Sequence, residues 1–411
     1  MAPAEPIMYP LPWIFLLFCL VLYLTRKDQI WQLLKKKPVS HLNPNATSTQ
    51  KTEPLHSEDA YYNIEPLPDF DLATTHPLKL RPFKPKFHMT MALEKTTLSS
   101  LIEMDNTYPS RIALRSSLLQ SHHSSVLALT PRSHAAVLEL ATWLLSTYLP
   151  SRFPTLFTLQ GPATLLNRVT GALLPVVPAS AVSALEILGQ NIDTDFLILL
   201  PGERTGDDDD DGGEAEEAAA GRQYTLEAFI TCFPSGFHTP SKLGRTLSEI
   251  HAPVPRYKTK LARSMDRYFA ALPLGTCVRR LNWTVTTTPD LFCLAGSHMT
   301  PAEAQAQAQA QAQLPTAARR QQEAERVRLA KTSLRCERQT LHRLPVTKAV
   351  VFAFKTYQYP VQELRDEGSG EALAEAIEGI ATGSVPEMTV YKRQVVWGDK
   401  VKAFLRGEIE A

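Results

Sequence analysis

The sequence predicts an α+β fold, and three observations support that class. Helical and strand-like segments follow one another in mixed order, without the regular alternation that builds a parallel sheet. Leu334–Leu341 and Lys348–Tyr357 have strand composition and flank a short turn at Pro345, which is typical of an antiparallel hairpin. The segment from Leu281 to Val285 alternates apolar and polar residues, so we expect a half-buried strand there.

Other elements follow from the spacing of apolar residues. Ser133–Leu149 has apolar residues at helical spacing, whereas Phe196–Leu200 is a short apolar run that suits a buried strand. Leu261–Leu272 is amphipathic with an aromatic stripe that we assign to the core. Gly370–Ile380 carries its large apolar residues on one side and is a further predicted helix.

The segment Phe233–Pro255 contains the first candidate site. Thr239 is a good N-cap, and helical spacing of leucines follows until Pro253 ends the predicted helix. His251 comes four residues after Leu247, so it lies on or beside the apolar stripe in the last turn. An imidazole directed from a helix end into an apolar interior can provide an axial ligand to a cofactor iron. The alternative is a core or capping histidine.

Composition excludes several classes of protein. The chain has 411 residues, 44% of them hydrophobic, which suffices for one large domain or two smaller ones. A formal net charge of +1 with dispersed basic residues does not indicate a nucleic-acid surface. Five cysteines without a CxxC pair suit free thiols in a reducing compartment. The sequence has no GxGxxG after a strand, no P-loop, no GxSxG and no HExxH.

The N-terminus predicts a membrane anchor. Residues 7–25 form an uncharged apolar segment close to the minimum length for crossing a bilayer. The basic residues follow this segment, so we expect residues 1–6 to be a luminal tail and the bulk of the chain to be cytosolic. The segment lacks the basic start and the cleavage site of a signal peptide, which favours a single-pass anchor in the endoplasmic reticulum.

The rest of the chain divides into a linker and one domain. Residues 26–80 are first basic and then proline-rich, as expected of a linker. Residues 81–411 form the predicted catalytic domain, with flexible insertions at 202–221, which is acidic, and at 300–332, which contains an Ala-Gln tract.

The predicted strand after Leu334 carries the second candidate site. Arg335, Glu337 and Gln339 share one face of that strand, whereas Cys336, Arg338 and Thr340 share the other. These charges need partners, because an unpaired buried charge is costly. Two interpretations remain open, an Arg-Glu network across strands or binding of an anionic ligand, for which arginine is well shaped.

A third motif is Asp193-Thr194-Asp195, which imitates the metal-binding DxD of nucleotide-sugar transferases. Together with the glycosylation sequons at Asn45 and Asn282, it supports an alternative function as a luminal glycosyltransferase. The simpler interpretation is that the two acids cap the strand that follows.

Several blocks of the chain resemble the family of haem-dependent oxidative N-demethylase alpha subunits, whose fungal members are labelled as HRQ proteins or by a domain of unknown function. The matching blocks span about Arg81 to Arg406 and are FHMTMALEK with IEMDNTYPSRIALR, FPSGF with KLGRTLSEIHAPVP, MDRYF with LPLG and VRRLNW, RCERQTLHRLP with AVVFAFKTY, and PEMTVYKRQVVWGDKV. The blocks IHAPVP and ERQTLHRLP are the most specific.

The resemblance implies a PAS-like antiparallel sheet with flanking helices that binds b-type haem through a histidine. In that family the enzyme removes a methyl group from a small amine by oxidation, and a separate flavin and iron-sulfur reductase supplies the electrons. Carried to this chain, His251 is the candidate iron ligand. Arg335, Arg338 and Arg343 are candidates for holding the haem propionates or the substrate, and Glu337 is a candidate for orienting one of these arginines.

The chain departs from the bacterial pattern in its predicted anchor, its insertions and its Phe354-Lys355 pair, so no substrate can be carried over. We expect a membrane-anchored, haem-dependent oxygenase of the demethylase type that acts on a small molecule, with a hydrophobic fungal secondary metabolite as one candidate. The alternatives are a non-catalytic haem or small-ligand sensor with a PAS-like fold and the luminal glycosyltransferase.

Overall fold

The computed structural model describes residues 58–202, 223–299 and 327–410, which all belong to one unit, Pro54–Ala411. The strands in these ranges are β1 (Glu94–Thr96), β2 (Leu127–Leu129), β3 (Phe157–Leu159), β4 (Thr164–Asn167), β5 (Leu173–Pro175), β6 (Asp195–Pro201), β7 (Tyr224–Ile230), β8 (Cys277–Thr286), β9 (Ser333–Arg343) and β10 (Val350–Pro360). The longer helices are Tyr108–Ser121, His134–Trp143, Ala181–Asn191, Ala262–Ala271, Gly370–Ala381 and Gln394–Leu405. Shorter α-helical segments are His123–Val126, Leu149–Arg152, Leu247–Ile250, Tyr257–Lys260, Val361–Asp366 and Met388–Tyr391; the π-helical turn Leu144–Tyr148 continues the helix that begins at His134.

Seven strands pair antiparallel in the order β1-β8-β9-β10-β6-β7-β2, and β3-β4-β5 form a separate small sheet. The longest pairings are those of β9 with β8 and with β10, so β9 is fully flanked. Both of its edges are paired and apolar clusters cover both of its faces, so every residue from Ser333 to Arg343 is buried, including its charged side chains.

Each face of β9 contacts a different layer of the protein. Leu341 belongs to an apolar cluster with Leu247 and Phe269, which come from the helical segments after β7. Leu334 and Cys336 belong to a second cluster with the helices that follow β10. Since alternate residues of a strand point to opposite faces, Arg335, Glu337 and Gln339 lie on the face that carries Leu341.

A network of ion pairs holds the end of β6 to the helix Tyr108–Ser121. Arg115 contacts Asp195 at 2.6 Å, and both side chains are almost fully buried. Asp195 also accepts hydrogen bonds from the backbone amides of Cys232 and Phe233. Asp193 lies 3.2 Å from the Nζ of Lys355. Both acids of the DxD motif are therefore neutralised inside the protein, which supports a structural role for them.

The predicted α+β class is confirmed, with a large antiparallel sheet and flanking helices; the likeness to PAS domains stays a prediction. The predicted helices Ser133–Leu149, Leu261–Leu272 and Gly370–Ile380 are present with small shifts of their ends. The predicted strands Phe196–Leu200 and Leu281–Val285 and the hairpin after Leu334 are present as well.

The single helix predicted from Thr239 to Pro253 is wrong. A 3-10 turn covers Thr239–Lys242, Leu243 is extended, and a separate short helix covers Leu247–Ile250. Gly244 explains the interruption, because its φ of +74° is a left-handed conformation that glycine adopts readily. The capping pattern that restarts the helix, Thr246 with Glu249, was overlooked in the sequence.

The predicted membrane segment, residues 7–25, lies outside the described residues, as do residues 1–6, the linker up to residue 57 and most of both insertions. Within 58–202, 223–299 and 327–410, no helix has the length and apolar character required to cross a bilayer. The end of the predicted second insertion is described, and there Val327 and Leu329 are buried in an apolar cluster.

Candidate functional site

The turn that carries His251 is fixed by its own sequence. The Thr246 hydroxyl accepts a hydrogen bond from the backbone amide of Glu249, and the Glu249 carboxylate accepts one from the amide of Thr246. This reciprocal pattern satisfies two amides that a helix start would otherwise leave unpaired. Leu247, the first residue of the turn, is buried against the sheet. His251 directly follows the turn and caps its C-terminal end.

The imidazole of His251 is held in one tautomer. Its Nδ1 lies 2.8 Å from the carbonyl oxygen of Leu247. A carbonyl oxygen can only accept, so Nδ1 carries the proton and Nε2 keeps its lone pair. Among the described residues, no hydrogen-bond donor engages Nε2. A histidine whose Nδ1 is bound to a backbone carbonyl and whose Nε2 is open has the state in which imidazole binds metals.

The surroundings keep this ring neutral and oriented. The pKa of His251 is lowered to about 4, mainly by burial and in part by the positive charges of Lys242 and Arg280, while the hydrogen bond to Leu247 acts in the opposite direction. Tyr257 stacks on the ring with centroids 4.7 Å apart and planes inclined by 14°. His251 is therefore neutral at physiological pH, and its ring plane is restrained by an aromatic neighbour.

The second part of the site is a group of polar residues on adjacent strands, which we call the polar patch: Arg280, Asn282 and Thr284 on β8 and Arg335, Glu337 and Gln339 on β9. In the register of the two strands Gln339 lies opposite Arg280, Glu337 opposite Asn282, and Arg335 opposite Thr284. The six residues therefore share one face of the sheet. This is the face against which Leu247 packs, so the turn bearing His251 and the polar patch border the same side of the sheet.

Glu337 is the centre of charge in the polar patch. Its Oε2 accepts a 2.8 Å hydrogen bond from the amide of Gln339, whereas its Oε1 is buried without a hydrogen-bond partner in the described part of the chain. Four cations are close enough for this carboxylate to raise their pKa values, namely Lys242, Arg280, Arg335 and Lys392. None of them forms an ion pair with Glu337 within 4.0 Å, as far as the described residues go. Glu337 therefore forms no Arg-Glu ion pair with the described residues, whereas Arg338 of the same strand pairs with Glu103.

Arg335 lies in the polar patch but is largely engaged by backbone. Its Nη2 donates to the carbonyl oxygens of Phe233, Pro234 and Leu291 at 2.8 to 3.1 Å. Its Nε is buried without a partner among the described residues. These contacts tie β9 to the chain that follows β7 and to the chain that follows β8.

Arg338 and Arg343 lie elsewhere. Arg338 is on the opposite face of β9, where it donates to the carbonyl oxygen of Ser100 and pairs with Glu103 at 3.2 Å. Arg343 donates to the carbonyl oxygens of Leu272, Phe269 and Ala270 and thereby caps the helix Ala262–Ala271. The structure brings His251, Arg335 and Glu337 to one side of the sheet and separates Arg338 from them; the binding roles assigned to all five residues stay predictions.

The structure places five further residues close to the polar patch or in it that the sequence reasoning missed: Lys242, Arg280, His298, Tyr391 and Lys392. Lys242 lies over the ring of Phe237 at 4.2 Å, and burial lowers its pKa to about 8. Burial likewise lowers the pKa of Lys392 to about 8 and that of His298 to about 4. The sequence offered a signal for Arg280, because it alternates with Asn282 and Thr284 on one face of the predicted strand, and a polar face that is covered needs partners.

No group of three or more His, Cys, Asp or Glu side chains that could hold a metal ion occurs within 58–202, 223–299 and 327–410.

Comparison with known proteins is informative at the level of the family. No curated protein matches the chain. A family model described as "Haem-dependent oxidative N-demethylase, alpha subunit-like" matches residues 92–402, which is about three quarters of the chain. The match includes His251, the polar patch and the cations around it. The chain therefore belongs to the family of proteins like the alpha subunit of haem-dependent oxidative N-demethylase.

Proposed function

We propose that the chain is a haem-dependent oxidoreductase that removes methyl groups oxidatively, with Nε2 of His251 as the protein ligand to the iron. The observation that carries this proposal is the pairing of His251 Nδ1 with the Leu247 carbonyl oxygen, which leaves Nε2 open. Family membership supports the dependence on haem and the oxidative class of the reaction.

The residues around His251 fit a haem. Leu243, Ile250 and Val254, from the segment that carries His251, are half-buried apolar side chains of the same apolar cluster as Leu247, and apolar surroundings suit a porphyrin. The cations Lys242 and Arg280 influence the ring electrostatically, so positive charge lies near the proposed iron site, where it is available to a carboxylate. Since imidazole must be neutral to bind iron, the lowered pKa of His251 favours binding across the physiological range.

When bound, haem would supply the iron at which dioxygen is reduced. The Leu247 carbonyl would hold the proton on Nδ1 of His251, and Tyr257 would restrain the plane of the ring. The sheet face that carries Glu337 would lie beside the bound amine substrate. Overall, an N-methyl group, one dioxygen, two electrons and two protons give the demethylated amine, formaldehyde and water. The electron donor must be external, and we propose a flavin-type reductase for it.

The proposal extends to the location of the enzyme. We propose haem b as the cofactor and residues 7–25 as a single-pass anchor in the endoplasmic reticulum with a cytosolic catalytic domain, on the strength of the apolar segment and the basic residues after it. The anchor by itself favours a hydrophobic small molecule as the substrate, whereas the charged side chains of the polar patch favour a polar one. Membrane fractionation with and without residues 1–25 tests the anchor, and an endoglycosidase shift at Asn282 would contradict the cytosolic topology.

Turnover is the direct test of the proposed function. The haem-loaded full chain, supplied with a flavin reductase and reduced nicotinamide, is offered a panel of N-methylated amines. Formaldehyde release coupled to dioxygen consumption, absent in His251→Ala, is the expected result. Haem binding without any substrate-dependent consumption of dioxygen across the panel would contradict the demethylase and support the sensor alternative.

A further inference from the structure

Four of the fourteen buried polar atoms that lack a hydrogen-bond partner among the described residues lie together in the polar patch. Arg280 Nε, Thr284 Oγ1, Arg335 Nε and Glu337 Oε1 are all buried without a hydrogen-bond partner among the described residues. These four atoms belong to the polar patch, on two adjacent strands and one sheet face. A buried polar group without a partner costs about 1–3 kcal/mol, so isolated cases are rare and a cluster indicates a missing polar ligand.

The charges around the patch indicate what kind of ligand it takes. Four cations, Lys242, Arg280, Arg335 and Lys392, surround the single carboxylate of Glu337. Arg335 and Lys392 have partners, since both donate to backbone carbonyls. Arg280 and Lys242 have no hydrogen-bond acceptor in the described ranges. These two cations are therefore available to a carboxylate, while Glu337 Oε1 remains available to a donor.

The patch is accessible to a small molecule. Glu337 is 95% buried, whereas Arg280, Asn282 and Lys242 keep part of their surface exposed. Asn282 lies beside Glu337 on the neighbouring strand, so a ligand that reaches the partly exposed Asn282 is next to the Glu337 carboxylate. The turn with His251 packs on the same sheet face, so such a ligand is also close to the proposed iron site.

We propose that the polar patch and Lys242 bind a small zwitterion, whose carboxylate pairs with Arg280 and Lys242 and whose ammonium group donates to Oε1 of Glu337. The ligand class is an amino acid or a close relative of one. Combined with the proposed demethylation, on which this step rests, the substrate class becomes an N-methylated amino acid. Neither a simple amine nor a simple carboxylate satisfies both the available cations and the available carboxylate oxygen.

Binding to the haem-loaded full chain tests this proposal without turnover. Calorimetry and the shift of the haem absorbance band are recorded with N-methylglycine, with acetate as the carboxylate alone and with dimethylamine as the amine alone. N-methylglycine is expected to bind at least about tenfold more tightly than either fragment, which corresponds to about 1.4 kcal/mol. Equal or tighter binding of dimethylamine would overturn the proposal.

Two variants test which residue contacts the ammonium group of the ligand and which contacts its carboxylate. Glu337→Gln keeps the shape of the side chain but removes its charge. The affinity for N-methylglycine should therefore fall about tenfold, while the affinity for acetate should not fall. Arg280→Gln should lower the affinity for both N-methylglycine and acetate. Arg279→Gln, a change of the exposed neighbour on the other face, is the matched control and should alter neither. Unchanged N-methylglycine affinity in both Glu337→Gln and Arg280→Gln would overturn the subsite.

The carboxylate could instead come from the haem itself, and a further comparison separates the two sources. Hemin and hemin dimethyl ester, whose propionates are blocked, are titrated into the wild type and Arg280→Gln. If Arg280→Gln weakens hemin alone and N-methylglycine does not bind, the cations serve the propionates and the zwitterion proposal fails. If hemin does not bind the wild type at all, it is the proposed function that fails, while calorimetry on the haem-free chain still tests the subsite.

Discussion

Two hydrogen bonds join His251 to the carbonyl oxygen of Leu247 across a single helical turn. The backbone amide of His251 donates to the Leu247 carbonyl oxygen at 3.1 Å, and the ring Nδ1 donates to the same oxygen at 2.8 Å. The direction of Nε2 is thereby tied to the backbone of this turn. Since the turn is only four residues long, its geometry depends on the cap at Thr246 and on the burial of Leu247.

Removing the cap should therefore affect haem binding as well as stability. Thr246→Ala is expected to cost about 1 kcal/mol of unfolding free energy, because the Glu249 amide loses its acceptor. It should also weaken hemin affinity severalfold, since the Leu247 carbonyl is no longer held in place. Urea unfolding and hemin titration measure the two effects.

Ser180→Ala provides the matched control for that variant. Ser180 caps the helix Ala181–Asn191 with the same type of hydrogen bond, from the amide of Ser183. Ser180→Ala should lower the unfolding free energy by a similar amount and leave hemin affinity unchanged. If both variants weaken hemin binding equally, the turn at Leu247 has no special role in orienting His251.

The buried pair of Arg115 and Asp195 should contribute strongly to stability. Arg115→Met leaves Asp195 as an uncompensated buried charge, so we expect a loss of about 3–5 kcal/mol. Arg279→Met removes one partner of an exposed pair with Glu94 and should cost less than about 1 kcal/mol. Urea unfolding of both variants makes the comparison, and a loss for Arg115→Met as small as that for Arg279→Met would show that this network is not a structural support.

The unfolding free energy should decrease as the pH is lowered below 6.5, in part because of His342. This ring is fully buried, its Nε2 has no partner among the described residues, and burial lowers its pKa to about 3. Below the unfolded pKa of about 6.5 the unfolded chain binds a proton that the folded chain excludes, so the unfolding free energy decreases as pH falls toward the folded pKa.

Between pH 7 and pH 5 this single group should account for about 2 kcal/mol of the lost unfolding free energy. His342→Leu removes that contribution, so its unfolding free energy should depend on pH less steeply by this amount. Tyr61 keeps a hydrogen bond in the variant, because its hydroxyl also donates to the Arg343 carbonyl. Identical pH dependence of the two proteins, measured by urea unfolding, would contradict the buried neutral state of His342.

Much of the fold could be predicted from sequence because periodicity reports burial directly. The alternation after Leu334 placed Arg335, Glu337 and Gln339 on one face of a strand, and the register of β8 and β9 confirms it. His251 could be predicted to lie on the same side as Leu247, because residues four apart share one face even in a single helical turn. What failed at Gly244 was the assumption of an unbroken helix, where a left-handed residue and a new cap divide the segment.

The partners within the site could not be predicted, because they depend on tertiary contacts. Lys242 and Arg280 are separated from Glu337 by many residues along the chain and come near it only through sheet pairing and loop packing. The same contacts give Arg343 a backbone-capping role that its sequence motif did not suggest. Spacing identifies a face of a strand, but the groups that cover this face come from elsewhere in the chain.

The bond between His251 and iron is most directly tested by hemin titration of the full chain, followed by the intensity and position of the Soret band. The wild type and His238→Ala, a change of an exposed histidine in the same segment, are expected to give the same band with one hemin per chain. His251→Ala should keep its far-ultraviolet circular dichroism and lose the band, and added imidazole should restore it. A His251→Ala protein that binds hemin with the affinity and Soret position of the wild type would contradict the account.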